Sequence, residues 1–220
     1  MAKRQARFTP QDLKADVGLQ DQSQDLWSEE LTDVAKSLLT AAVRCFAANG
    51  YHATTTRDIS TGVGLSPAAL YVHFPSKELV LFEIIRTGHE RALAYIQELA
   101  AASDDTDTSA DRLRRMISRY TAWHARHHVA ARVCQYELAA LTPEHYAQVT
   151  ALRHQTNDVF REAVARGVRD GSFADIDVNR VVRAMLSLSI DLVRWYRRDG
   201  SETPEQLGRS NADLALKMVA

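Results

Sequence analysis

Cysteine is scarce: the 220 residues hold two, Cys45 and Cys134, on separate helical stretches with apolar neighbours. That excludes a disulfide framework, offers no metal spacing, and predicts buried free thiols of the kind a reducing cytoplasm allows. Long apolar runs are missing as well. None approaches the ~20 residues a helix needs to span a bilayer. The N-terminus carries positive charge without an apolar stretch behind it, so it does not read as a secretory signal, and a cytoplasmic protein is expected. A glycine-rich phosphate loop, a nucleophile elbow and a paired-carboxylate signature are all absent, which makes an enzyme the poorer account. Excess charge of one sign is lacking too. With a net charge of -1, any footprint on nucleic acid must be local.

What is present is a stretch that punctuates itself, TTTRDISTGVGLSPAALYVHF at 54–74. Thr55 can cap a helix opening at Thr56, and Asp58 three residues on completes a capping-box pattern. Ile59 and Val63 lie four apart and share the inward face of that helix. Gly64 supplies the backbone freedom of a sharp reversal, with Leu65 plugging the angle. Ser66 is the expected cap of a second helix, Pro67 its first residue, and Pro75 its stop. The pattern predicts a helix-turn-helix whose second helix displays Ser66, Ala69, Tyr71 and His73, a shape suited to the major groove. Residues 34–80 are mildly basic, with Lys36, Arg44, Arg57 and Lys77 against Asp58 and Glu78.

The remainder reads as helix throughout, so the fold class is all-α. Residues 1–30 form a polar N-terminal extension: Lys3, Arg4 and Arg7 precede an acidic run, and both a disordered leader and a basic DNA-contacting arm fit them. Leu26, Trp27 and Leu31 suit packing on the head. A supporting helix over 33–49 carries Val34, Leu38, Ala42 or Cys45, and Phe46 inward. Ser76 caps a long helix to about residue 102 whose apolar stripe is Leu79, Phe82, Ile85 or Arg86, His89, Leu93 and Ile96, and 103–111 reads as an acidic linker. Helices follow over 110–128 and 129–141. Another runs from Pro143 to about Asp170, with Tyr146, Val149, Thr156, Phe160 and Val164 inward. Residues 177–198 look apolar nearly all round, which predicts burial on every side. A last helix spans 204–219.

TT-x-x-I-S, GLS, LY-x-HF and SKE, in this order and spacing, resemble the N-terminal domain of the tetracycline-repressor (TetR) family of bacterial transcriptional regulators. The likeness is close over 34–85. It implies a helix-turn-helix DNA-binding domain at 31–80 and a ligand-binding and dimerisation domain at 81–220. It also implies a homodimer whose paired heads read an inverted repeat in double-stranded DNA. Carried over residue by residue, Thr56 and Arg57 match phosphate contacts, Ser66, Ala69, Tyr71 and His73 match the recognition helix, and Lys77 matches a phosphate-gripping lysine. Leu70 and Phe74 read as core. The recognition helix has no Arg, Asn or Gln for a bidentate base contact, while Ala68 and Ala69 could touch thymine methyl groups.

The resemblance further implies a small-molecule effector that acts through the body, and no cofactor. Tyr120, Trp123, His124, Tyr136, Arg153 and Trp195 are the expected ligand-binding residues. More loosely, 122–137 and 194–208 resemble TetR-family regulators of fatty-acid and sterol breakdown that respond to acyl-CoA thioesters. Arg126, Arg132, Arg194, Arg197 and Arg198 are the candidate cations for such a ligand's phosphates. The alternative is a helical metal-dependent sensor or enzyme built on His124 and His128, which lie four apart. No third ligand has a diagnostic spacing, so no metal site is assigned.

Overall fold

The computed structural model describes residues 26–102 and 107–220. The expectations for the basic arm and for most of the acidic linker fall outside those residues. Three helices form the head: α1 (Asp33–Asn49) and the short α2 (Thr56–Thr61) and α3 (Pro67–His73). The long α4 (Lys77–Ala101) leads into a body of α5 (Ser109–Arg126), α6 (His128–Tyr136), α7 (Pro143–Arg169), α8 (Val178–Asp191) and α9 (Pro204–Lys217). No strand occurs among the described residues. The fold is all-α.

The helix starts follow the capping chemistry of the sequence. Thr32, Ser76, Thr108, Thr142, Asp177 and Thr203 each accept a backbone amide from the first turn of the helix they precede. One apolar cluster joins the head to the body. Leu38, Leu39, Phe46, Ile59, Leu70 and Phe74 pack with Leu81, Ile84 and Ile85 of α4, and Val129 and Val133 of α6 complete the cluster. Leu26 and Trp27 belong to it, and Trp27 Nε1 donates to Thr40 Oγ1 at 2.9 Å. A second cluster lies deeper in the body around Ile96, Leu113, Met116, Tyr120, Phe160, Val164 and Met185. Trp123 touches both. Helix α9 lies against α5, and the approach is close enough that a Cβ on Gly208 would collide with the Ser118 carbonyl.

Several expectations are corrected. Val34 and Tyr146 face solvent, and Ala42 rather than Cys45 takes the fully buried place on α1. The apolar stretch 177–198 is not one helix. It stops at Asp191, and a 3-10 turn over Leu192–Arg194 folds Leu192, Val193 and Tyr196 against Ala125, Ala131 and Leu207. Side chains that look surplus on a continuous helix are therefore buried within the same chain. Helix α8 is left amphipathic, with Arg183, Ala184, Ser187 and Leu188 outward.

Candidate nucleic-acid interface and effector cavity

The motif is assembled from local bonds. Thr55 Oγ1 accepts the Asp58 amide at 3.1 Å, and Asp58 Oδ2 accepts the Thr55 amide at 2.8 Å, closing the capping box. The bonds from Thr55 hold the Asp58 carboxyl below its ordinary range. Gly64 turns the chain at φ 71, and the Leu65 amide returns to the Ser60 carbonyl at 2.9 Å. Leu70 and Phe74, one helical turn apart, fix the inner side of α3.

The outer side carries the expected DNA contacts unevenly. Arg57 and Ser66 are exposed, while Thr56, Ala69 and His73 are partly buried. Tyr71 is 54% exposed, which rules out a core role, and its hydroxyl meets Thr56 Oγ1 at 3.3 Å. Ser66 sits at the N-cap of α3, but its side chain makes no capping bond, contrary to expectation. The Ala69 amide instead donates to the Ser66 carbonyl at 3.0 Å, which leaves the Ser66 hydroxyl to other partners. Lys77 also differs from a simple phosphate-gripping lysine. Its ammonium donates to the Tyr51 and Thr54 carbonyls at 2.9 and 2.7 Å and lies 4.2 Å from the centroid of the Tyr51 ring. It pins the turn ahead of α2. Sequence reasoning missed Val72, which is 79% exposed between Tyr71 and His73. The signal was legible: Val72 falls opposite Leu70 and Phe74 on the helix.

In the body, the expected ligand-binding residues divide into two groups. Tyr120, Trp123 and His124 belong to the interior. Tyr120 packs edge-on against both His124 and Phe160. His124 Nδ1–H donates to the Tyr120 carbonyl at 3.0 Å, and burial drives the ring's pKa down to about 4. Tyr136, Arg153 and Trp195 instead line a groove of about 1230 Å³ along α7 and α8. Its walls combine Val182, Leu186, Leu192 and Val193 with Arg153, His154, Arg161 and Arg183. A second cleft, of about 530 Å³ among α4, α5 and α7, contains none of the expected site residues.

Between the two groups lies a residue that sequence reasoning left in an apolar stripe. His89, on α4, is buried with no hydrogen-bond partner at Nε2. Burial first, then the charges of Arg153 and His124, lowers its pKa to about 3. A lone histidine inside the apolar face of a long helix was the available clue.

The candidate phosphate cations lie outside the groove. Arg126 pairs with Glu205 at 2.9 Å and Arg197 with Asp199 at 2.9 Å, while Arg132 donates to the Val193 and Arg194 carbonyls. Arg194 lies 3.9 Å from Asp191, and Arg198 is exposed. None of the five lines the groove. The metal reading also loses its geometry. The helix breaks at His127, so His124 packs on Tyr120 and Trp123 while His128 packs on Tyr196. Among the described residues, no three His, Cys, Asp or Glu side chains gather where a metal could sit.

The two halves match two family models: residues 38–84 match bacterial regulatory proteins of the tetR family, and residues 106–219 match the tetracyclin repressor-like C-terminal domain. The chain belongs to the tetR family of bacterial regulatory proteins. It is similar to the HTH-type transcriptional repressor KstR2 of Rhodococcus jostii, with 31% identity across 83% of this chain and 89% of the relative. A tetR-family regulatory protein from Rhodococcus RHA1 superposes with a TM-score of 0.80 at 37% identity, covering 86% of this chain and 98% of the other. The ketosteroid regulator KstR2 of Mycobacterium tuberculosis gives 0.79 at 26% identity, covering 88% and 98%. In this TetR-family transcriptional regulator, the helix-turn-helix of α2 and α3 is the DNA-binding element. No helix among the described residues is long and apolar enough to cross a membrane.

Proposed function

We propose that the chain is a cytoplasmic, homodimeric repressor whose two heads leave an inverted-repeat operator when a lipid-derived effector enters the body. An acyl-CoA thioester fits best. Residues 31–80 act as the head and 81–220 as the body. Thr56, Arg57, Ser66, Tyr71 and His73 meet DNA, with Ala69 beside them. Lys77 acts chiefly by holding the turn that positions Thr56.

The observation that carries this reading is the path of α4. One end of that helix pins the motif through Lys77, and its middle places the unpartnered His89 nitrogen beside Arg153 and His124. A ligand group that engages Arg153 on α7 changes the charge facing His89 on α4, the rod that sets the head. The groove supports the class of effector. Its volume exceeds the roughly 300–1,000 Å³ usual for drug-sized ligands. Its apolar stretch suits a hydrocarbon body, and Arg153 and Arg183 suit a phosphate-bearing tail. The names of the relatives, which include a ketosteroid regulator, favour lipid metabolism as the setting. Leu188 and Leu214, exposed on α8 and α9, supply the apolar part of the proposed dimer face, and because Leu188 also lines the groove, the partner subunit closes the groove's outer edge.

Fluorescence anisotropy on an operator duplex tests the effector class. Octadecanoyl-CoA and a steroid-derived CoA thioester should each release the protein from DNA, and Arg153→Ala should need more of either. Release by the free acids alone, with the thioesters inert, would overturn the choice of class.

A further inference from the structure

Helix α3 presents a face that the folded chain does not explain. Val72 is the most exposed large apolar side chain among the described residues, at 79%. Val is a weaker helix former than Arg, Lys, Gln or Glu because its branched Cβ loses rotamer freedom. In a helix of only seven residues, neither local propensity nor solubility favours it there. Ala68 lies one turn back on the same side and is also exposed. Tyr71 adjoins them, its hydroxyl turned toward Thr56. From Ser66 to Phe74 there is no Arg, Lys, Asn, Gln, Asp or Glu. The outward stripe of Ala68 and Val72 ends in methyl groups, with no side-chain donor or acceptor of its own.

The major groove offers one projecting apolar group to such a surface, the C5-methyl group of thymine; the donors and acceptors of the other base edges would be left unsatisfied against methyl groups. We propose that Val72, supported by Ala68, is a specificity-determining residue that reads thymine by packing on its C5-methyl group in each half-site. Arg57 and the helix-turn-helix frame place the helix, and Val72 selects among the base pairs beneath it. This rests on the DNA-binding reading of the motif and adds which chemical group of the operator is read. It also accounts for a recognition helix that lacks every side chain able to make a bidentate base contact.

The test begins with selection of bound sequences from a library of randomised duplexes by the full chain. Each thymidine of the selected half-site is then replaced by deoxyuridine, which removes only the C5-methyl group. One or two thymines per half-site should lose about fourfold in affinity for each methyl removed, the equivalent of one buried CH₂. Val72→Ala, which raises helix propensity and so keeps the helix, should abolish that penalty at the same thymine. Val72→Thr, which keeps one methyl, should retain part of it. An operator indifferent to uracil, or an equal penalty in Val72→Ala, overturns the proposal while leaving DNA binding intact. A library from which nothing is enriched overturns the DNA-binding reading and this proposal together.

Discussion

The carboxylate of Glu78 receives Nδ1–H of His145 at 2.8 Å, which joins the first turn of α4 to the first turn of α7. The same oxygen accepts the Thr142 amide at 3.0 Å, and the His145 ring stacks on Phe82 with centroids 3.8 Å apart. Both side chains are largely buried, at 18% and 21% exposure, so solvent screens the pair little. Position 78 therefore links the base of the reading head to the helix that lines the proposed effector groove. In a double-mutant cycle, Glu78→Gln and His145→Ala should show a coupling of about 1 kcal/mol in denaturant unfolding. Either variant alone should also weaken the dependence of operator affinity on effector. Additive effects in unfolding would show that the two residues act separately.

Lys77→Ala should damage DNA binding through the fold of the head. The ammonium holds two carbonyls and an aromatic face of the chain itself. Removing it should cost about 2 kcal/mol of stability, the range for hydrogen bonds made by a charged group. Amide exchange should rise at residues 51–55. A variant of unchanged stability that still loses DNA would return Lys77 to the role of a phosphate contact.

Acid should loosen the body before it titrates the carboxylates. Burial keeps His89 and His124 neutral in the folded chain down to about pH 3 and 4, whereas an unfolded histidine gains its proton near 6.5. Between pH 6.5 and 4 the unfolded state therefore binds more protons, and stability falls as pH falls. Asp58 and Asp170, whose pKa values are lowered by hydrogen bonds, lose their contribution only below that window. Thermal unfolding should show Tm dropping by roughly 5–10 °C from pH 6.5 to 4, and less in a His89→Gln, His124→Gln double variant. An unchanged slope in that variant would place the titrating groups elsewhere.

The proposed dimer face should break at single positions. Leu188→Glu or Leu214→Glu places a charge where an apolar contact is proposed and should shift sedimentation toward the monomer. Each residue is exposed within one chain, so the monomer should keep its helical circular dichroism. A dimer that persists in both variants would require a different face.

Much of this was legible in the sequence, and the exceptions have physical causes. Thr55 and Asp58, Gly64, Pro67 and the pair Leu70 and Phe74 mark the motif because caps, turns and i,i+4 pairs are local effects. The bounds of α1 follow from the same kind of signal. Tertiary choices were harder to read. Periodicity cannot tell that 178–196 breaks at Asp191 and buries Leu192, Val193 and Tyr196 by turning back. Nor can it show that Glu78 and Lys77 bond to residues 67 and 23 positions away, because charged side chains in a first turn also suit phosphate contact. Tyr120 and His124 looked like ligand residues by type, but the fold places them in the interior. His89, an apolar-stripe residue by position, is buried with no partner at Nε2.

Body and head are proposed to exchange free energy through α4. The direct measurement is the dissociation constant of octadecanoyl-CoA, by calorimetry, for the free protein and for the protein saturated with its operator duplex. Linkage requires the thioester to bind the free protein more tightly by the factor with which it weakens DNA binding, typically 5–150-fold. Equal affinity for the two forms would contradict the account.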